Sequence, residues 1–383
     1  MARSTEERED AALARPRWWS EAGGACGDLG TFVPLVLGAI AIAGIPAAGV
    51  LFGFGAMLVA SGLFYGLPMA VQPMKAIAAL VATGEIDAGA MAASGLVIGA
   101  VLTGLALTGM IGRLARLVPW SVTAGLQLGL GLALATIGLR FALAAPWLGA
   151  TVGLALLALL ALRAGVGAPL VLIAATLAAG TALPDGLAPA LTLPPIVLPG
   201  WDEVWRGLWH ATIPQLPLTL TNAVIVTAAL TRRLHPGRAG RAHEQNLALT
   251  TGLAGLLLAP LGAMPMCHGA GGVQAHWRYG ARTGAATIGL GLVLLALSIG
   301  FADGTAALLA AIPPAALGAM LVMAGADLAI SRRLFDARPS CWPVIGATAA
   351  ATLLVDPAIG LIAGLATEGA RSLALRALTR HVG

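Results

Sequence analysis

Long apolar runs, interrupted by Gly, Pro or Arg, follow one another from about residue 29 to residue 377. Such runs predict α-helices that cross a bilayer, because a helix satisfies its own backbone groups where no water can. In the first half the pattern predicts segments at 29–44, 48–65, 70–83, 90–110, 119–139, 146–162 and 167–182. A connection rich in proline follows (Pro184, Pro189, Pro194, Pro195, Pro199), then a polar, aromatic stretch from Trp201 to Trp209. The second half predicts segments at 212–230, 246–261, 267–280, 284–301, 306–330, 342–354 and 358–377. Several are shorter than the roughly 20 residues that span a bilayer. Trp201, Trp205 and Trp209 share a helix face and are expected to form an external interfacial belt.

Composition agrees with a polytopic all-α membrane protein. The chain is 58% hydrophobic and 10% charged, with a mean hydropathy of +0.89, against about 25% charged residues in a soluble domain. Its 51 glycines suit close helix packing in lipid. The net charge of +5 does not indicate nucleic acid, because the arginines lie at segment ends and form no single basic face. Cys26, Cys267 and Cys341 have no metal-ligand spacing; no cofactor is expected. Residues 1–20 are charged, lack the apolar core of a signal peptide, and read as a cytoplasmic tail.

Charge also orients the segments. With the N-terminus inside, Arg113, Arg116, Arg163, Arg232, Arg233, Arg238, Arg241, Arg278, Arg282, Arg332, Arg333, Arg338, Arg371, Arg376 and Arg380 fall on the cytoplasmic side; only Arg140 and Arg206 do not. Glu85, Asp87, Asp185, Asp202, Glu203, Asp303 and Asp356 fall outside. Seven segments per half predict a fourteen-segment inverted repeat, 21–200 followed by 201–383, a plan found in secondary transporters. Both termini are then cytoplasmic.

Candidate chemistry concentrates at two interruptions. Lys75, the only lysine, follows Pro68-Met69-Ala70-Val71-Gln72-Pro73-Met74, and an ionisable group at that depth needs a cavity or an anion. Met264-Pro265-Met266-Cys267-His268-Gly269-Ala270-Gly271-Gly272 interrupts the second half in the same way. Segments three and ten are therefore expected to run in as extended backbone and begin a short helix near mid-membrane. Their two N-termini would carry unpaired N–H groups and fractional positive charge, an anion site. Gly269, Gly271 and Gly272 would let backbone approach the ligand closely. Gln72, Thr31, Gln215, Thr219 and Asn222 offer neutral donors, His268 a titratable one and Lys75 a full charge. Plainer readings stand beside these. Lys75 could snorkel or pair with Asp28, His268 could be a packing residue, and Asp28 could cap the first helix. Asp28, Lys75 and His268 are the candidates for ion coupling.

Four motifs in order carry a family resemblance: Gly27-Asp28-Leu29-Gly30-Thr31-Phe32-Val33-Pro34, the segment from Pro68 to Ala79, Pro214-Gln215-Leu216-Pro217-Leu218-Thr219 with Asn222, and Met264 to Gly272. Over about residues 21–375 the chain resembles the molybdate transporter family, a branch of the sulfate permease superfamily. The resemblance implies a core domain (21–117 with 210–302) moving against a gate domain (118–200 with 303–383). It also implies molybdate as substrate, uptake coupled to protons or the membrane potential, and residence in the cell inner membrane. A cytoplasmic STAS domain is expected to be absent, and homodimerisation stays open.

Sulfate, another tetrahedral dianion, is the nearest alternative substrate. Nucleobase carriers of similar architecture would place carboxylates at the breaks, where this chain has amides, a lysine and a histidine. A channel is separated from a carrier by its lack of saturation. An enzyme is not expected, because Cys267 and His268 have no acid, metal-ligand set or nucleophile–base pair around them.

Overall fold

The computed structural model describes residues 18–113, 119–161, 189–330 and 337–381, with isolated positions at 171–178 and 334. The expectations for residues 1–17, segment 167–182, Arg116, Arg163, Pro184, Asp185, Arg332 and Arg333 lie outside the described residues. The described residues are mostly helical. Six of its described helices are long and apolar enough to cross a membrane, or seven if one bent pair is a single span. It is a multi-pass membrane protein.

The first half opens with α1 (Trp18–Ala25) and α2 (Leu29–Leu37), then α3 (Ala47–Tyr65). After α3 the backbone is extended, forming the two-residue strand β1 (Gln72–Pro73) before the short helix α4 (Lys75–Ala82). Next come α5 (Ala88–Thr108), α6 (Trp120–Ala142) and α7 (Pro146–Ala161). The second half begins with α8, one helix from Trp201 to Leu234. It continues with α9 (Glu244–Leu258), strand β2 (Met266–Cys267) and the short helix α10 (Ala270–Arg278). The last helices are α11 (Ala285–Ala310), α12 (Pro314–Ala329), α13 (Trp342–Leu354) and α14 (Pro357–His381).

Two expectations need correction. The segment expected at 212–230 starts earlier and ends later: the aromatic stretch 201–209 forms the first turns of α8, which runs on to Leu234. Glu203 caps that helix by accepting the Gly200 N–H at 2.6 Å, and two acids lie in its first turn. Pro214 and Pro217 do not end it, because the π-turns Gly207–Thr212 and Thr219–Val226 absorb the misfit. Second, the segments expected at 284–301 and 306–330 divide elsewhere: α11 continues through a kink at Phe301 to Ala310, and Pro313 and Pro314 start α12. The Gly300 and Ile299 carbonyls at the kink accept the Ala190 and Thr192 N–H groups of the extended connection, so that crossing segment satisfies what the kink frees.

Small residues set the helix crossings. A Cβ on Gly55 of α3 would lie 2.8 Å from the Gly291 carbonyl of α11, and one on Gly131 of α6 would lie 2.5 Å from the Gly325 carbonyl of α12. At one end of the bundle Asp87 caps α5, accepting the Ala90 N–H at 2.8 Å, and pairs with Arg206 at 2.7 Å. Burial works against the Asp87 carboxylate, but the Ala90 and Arg206 hydrogen bonds outweigh it and hold it below the usual carboxylate range. This pair gives Arg206, an exception to the charge pattern, an acidic neighbour. His210 on α8 contacts Asp356, just before α14, at 2.5 Å.

Candidate functional site

The two interruptions meet. β1 and β2 pair antiparallel, Gln72 opposite Cys267 and Pro73 opposite Met266, and the Met74 N–H adds a bond to the Pro265 carbonyl at 2.9 Å. An antiparallel pair relates its strands by an approximate two-fold, so the helices that follow start side by side and run apart. Prolines 68, 73 and 265 explain the extended backbone, since each removes a donor that a continuous helix would need. Protein surrounds the breaks: Met69, Ala70, Gln72, Met74, Met264 and Met266 are all buried. That enclosure is the condition for extended chain at membrane depth.

Between the tips lies a cavity of about 20 Å³ lined by Gln72, Pro73, Lys75, Gln127, Gln215, Leu218, Asn222, Ala223, Cys267, Gly269 and Leu328. That volume holds about one water, so a larger anion requires the walls to part. Gly269 sits at the closest approach: a Cβ there would collide with the Gln72 side-chain amide.

The predicted donors divide into free and committed groups. Gln72 donates through Nε2 to Asp28 Oδ1 at 2.6 Å, and both residues are buried. Asp28 therefore does not pair with Lys75. Gln215 reaches from α8 to the tip of α4, where its Oε1 accepts the Ala76 N–H at 2.9 Å and its Nε2 donates to Thr219 Oγ1 at 2.9 Å. One amide thus caps a helix 139 residues away in sequence, and Thr219 serves to orient it. The remaining side chains on the cavity include Asn222, whose amide has no hydrogen-bond partner among the described residues, and Lys75. Lys75 Nζ lies 3.5 Å from Asp327 Oδ2 of α12, with side-chain exposures of 26% and 65%. A half-solvated pair at that distance is worth about 0–1 kcal/mol.

Other candidates lie off the cavity. Both His268 ring nitrogens are occupied, Nε2 with Thr250 Oγ1 at 2.9 Å and Nδ1 with the Ala70 carbonyl at 3.0 Å. Tyr65 completes this network, its hydroxyl 2.8 Å from Thr250 Oγ1 and its ring edge-on to the imidazole. The hydrogen-bonding capacity of the histidine ring is thus spent within the protein. Thr31 on α2 is half-buried and does not line the cavity. Gly271 faces open space, while a Cβ on Gly272 would lie 2.5 Å from Asp28 Oδ2, so Gly272 lets α10 pack on that acid.

Sequence reasoning missed Gln127 of α6 and Asp327 as the partner of Lys75. Gln127 Oε1 is buried on the cavity wall with no hydrogen-bond partner among the described residues, a condition that costs about 1–3 kcal/mol. A lone amide in the apolar run of α6 was the available signal.

The profile of a family described as "Molybdate transporter of MFS superfamily" matches residues 20–134 and 207–328. Molybdate transporter 2 of Arabidopsis thaliana is 28% identical over 90% of this chain and 86% of its own length. Molybdate transporter 1 of Chlamydomonas reinhardtii is 29% identical over 94% and 93% respectively. Among solved structures, the transmembrane domain of the cyanobacterial bicarbonate transporter BicA aligns with a TM-score of 0.68 and 17% identity, covering 91% of this chain and 97% of that one. The murine anion transporter Slc26a9, solved in the inward-facing state, aligns with a TM-score of 0.68 and 13% identity over 93% of this chain and 68% of its own. These two likenesses concern the fold alone.

Proposed function

The chain belongs to the molybdate transporter family, and from that premise we propose that it imports molybdate across the cell inner membrane as a secondary transporter. The observation that carries this reading is the antiparallel meeting of β1 and β2, which sets the tips of α4 and α10 around one cavity beside the only lysine. Each tip adds fractional positive charge from its helix, and Lys75 adds a full one. A dianion there is attracted without complete neutralisation, so it can also leave.

In the full account the fold is a seven-plus-seven inverted repeat with both termini cytoplasmic. Residues 21–117 and 210–302 form a core that moves against a gate of 118–200 and 303–383. The water-sized cavity corresponds to a state in which these walls have closed. Movement of α4, α8 and α10 against α6 and α12 widens it and exposes it to each side in turn. Molybdate then contacts Lys75, Asn222, the Gly269 backbone and the Gln72 amide, which exchanges Asp28 for an oxide of the ligand. Asp28, buried and bonded to Gln72, is the coupling candidate best placed to sense the anion. Gln215 and Thr219 act by holding the α4 tip.

Uptake of labelled molybdate by cells or proteoliposomes containing the chain tests this reading. Saturable uptake is expected, falling at least tenfold in Gln72→Ala and in Lys75→Ala at equal protein levels. Undiminished uptake in both variants removes the site. Excess sulfate is expected to leave molybdate uptake within about twofold; abolition by sulfate would make this a general carrier of tetrahedral oxyanions.

A further inference from the structure

Gln127 has no role in the reading above, yet it is the one polar side chain that α6 contributes to the cavity wall. We propose that Gln127 is a direct contact for the transported oxyanion, supplied from the opposite wall and required for its enclosure. This inference rests on the anion-site reading and adds a ligand to it.

The surroundings of Gln127 are those of a packing position. Val122, Leu126 and Leu130 of the same helix pack with Ala76 and Ala79 of α4, with Leu218 of α8 and with Leu328 of α12. A leucine at 127 would continue that stripe. Instead there is an amide whose Oε1 is buried without a partner among the described residues, on the same cavity as Lys75, Gln72 and Asn222. A buried amide oxygen without a partner is unfavourable unless a ligand or a water completes it. Which amide atom points inward is interchangeable by a half-turn of the side chain. Nε2 donates to an oxide of the dianion, and Oε1 accepts from a water or from a protonated oxyanion.

The mounting of Gln127 gives it a second property. Glycines fix α6 to its neighbours on other faces: Gly131 against Gly325 of α12, and Gly125 against Ile345 and Thr348 of α13. Gln72 and Gly269, by contrast, belong to the paired breaks. A shift of the breaks relative to α6 therefore changes the reach of Gln127 while leaving the other ligands together. Gln127 then contacts the anion only when the walls have come back together around it, and its length sets how large an anion they can enclose. A shorter arm penalises a small oxyanion more than a large one.

Calorimetric binding of molybdate and sulfate to purified wild-type protein, Gln127→Leu, Gln127→Asn and Thr136→Val tests the proposal. Thr136 is an exposed residue of α6 that bonds only its own helix, at the Leu132 carbonyl. Gln127→Leu is expected to weaken molybdate binding at least tenfold while its melting temperature stays level or rises, since the orphaned amide is gone. Gln127→Asn is expected to recover part of the molybdate affinity and to raise the molybdate-to-sulfate ratio, and Thr136→Val to bind as wild type. Gln127→Leu and wild-type proteins binding molybdate within twofold of each other would overturn the inference and leave the anion site standing. So would weaker binding accompanied by a lower melting temperature in Gln127→Leu, which marks a structural role. Wild-type protein that binds neither anion would remove the site and this inference together.

Discussion

At the first break the tip of α4 presents side chains: Gln72 just before it, Lys75 on its first residue and Gln215 lent to its Ala76 N–H. At the second, the tip of α10 presents backbone. Gly269 leaves room where a side chain would strike Gln72, and the one large polar group, His268, turns away into bonds with Thr250 and Ala70. Two breaks paired strand to strand thus divide the work. One carries charge and adjustable donors, and the other carries a fixed surface narrow enough to let the first approach. On the proposed function, the anion site takes its shape from the second break and its attraction from the first.

That division predicts unequal consequences. The largest belongs to Gly269→Ala, where the added methyl must displace the Gln72 amide. Molybdate uptake is expected to fall about a hundredfold or more, with the protein still inserted and monodisperse by size exclusion. Near-normal uptake would show that the breaks need not touch. His268→Asn comes next and should act on stability. Losing the ring leaves Thr250 and the Ala70 carbonyl short of partners, a cost of about 1–3 kcal/mol. Its melting temperature is expected to drop while the KM for molybdate stays within about twofold. A large KM change at an unchanged melting temperature would put His268 on the ligand. The smallest effect belongs to Asp327→Asn, which frees Lys75 from a weak, half-solvated pair. Molybdate affinity is expected to rise by a few fold, from an ion pair worth about 0–1 kcal/mol; a fall would mean that Asp327 positions the lysine.

Both breaks were legible in the sequence because proline and glycine interrupt apolar helix in only a few ways, and Lys75 at such an interruption has few inexpensive fates. The direction in which a side chain turns was not legible. His268 adjoins Gly269 in sequence, yet its ring is spent on packing. Gln127 hides in an apolar run because a single amide alters neither periodicity nor hydropathy, and only the position of α4 across from it shows what it faces. The pairing of Lys75 with Asp327 joins residues 252 positions apart and follows from helix packing, which local pattern does not carry. That α8 starts at Trp201, ahead of the segment expected at 212–230, was hidden for a further reason. Proline reads as a helix end unless π-turns take up the misfit, and those turns have no clear signature in composition.

The most direct test of an anion held between the two tips is to locate one. Tungstate, a heavier tetrahedral dianion of the same shape as molybdate, can be placed by anomalous scattering in crystals of the protein. One dominant peak is expected within hydrogen-bonding reach of Lys75, Asn222 and the Gly269 backbone, lost on addition of excess molybdate. A peak elsewhere that molybdate displaces, with the space between the tips empty, would contradict it.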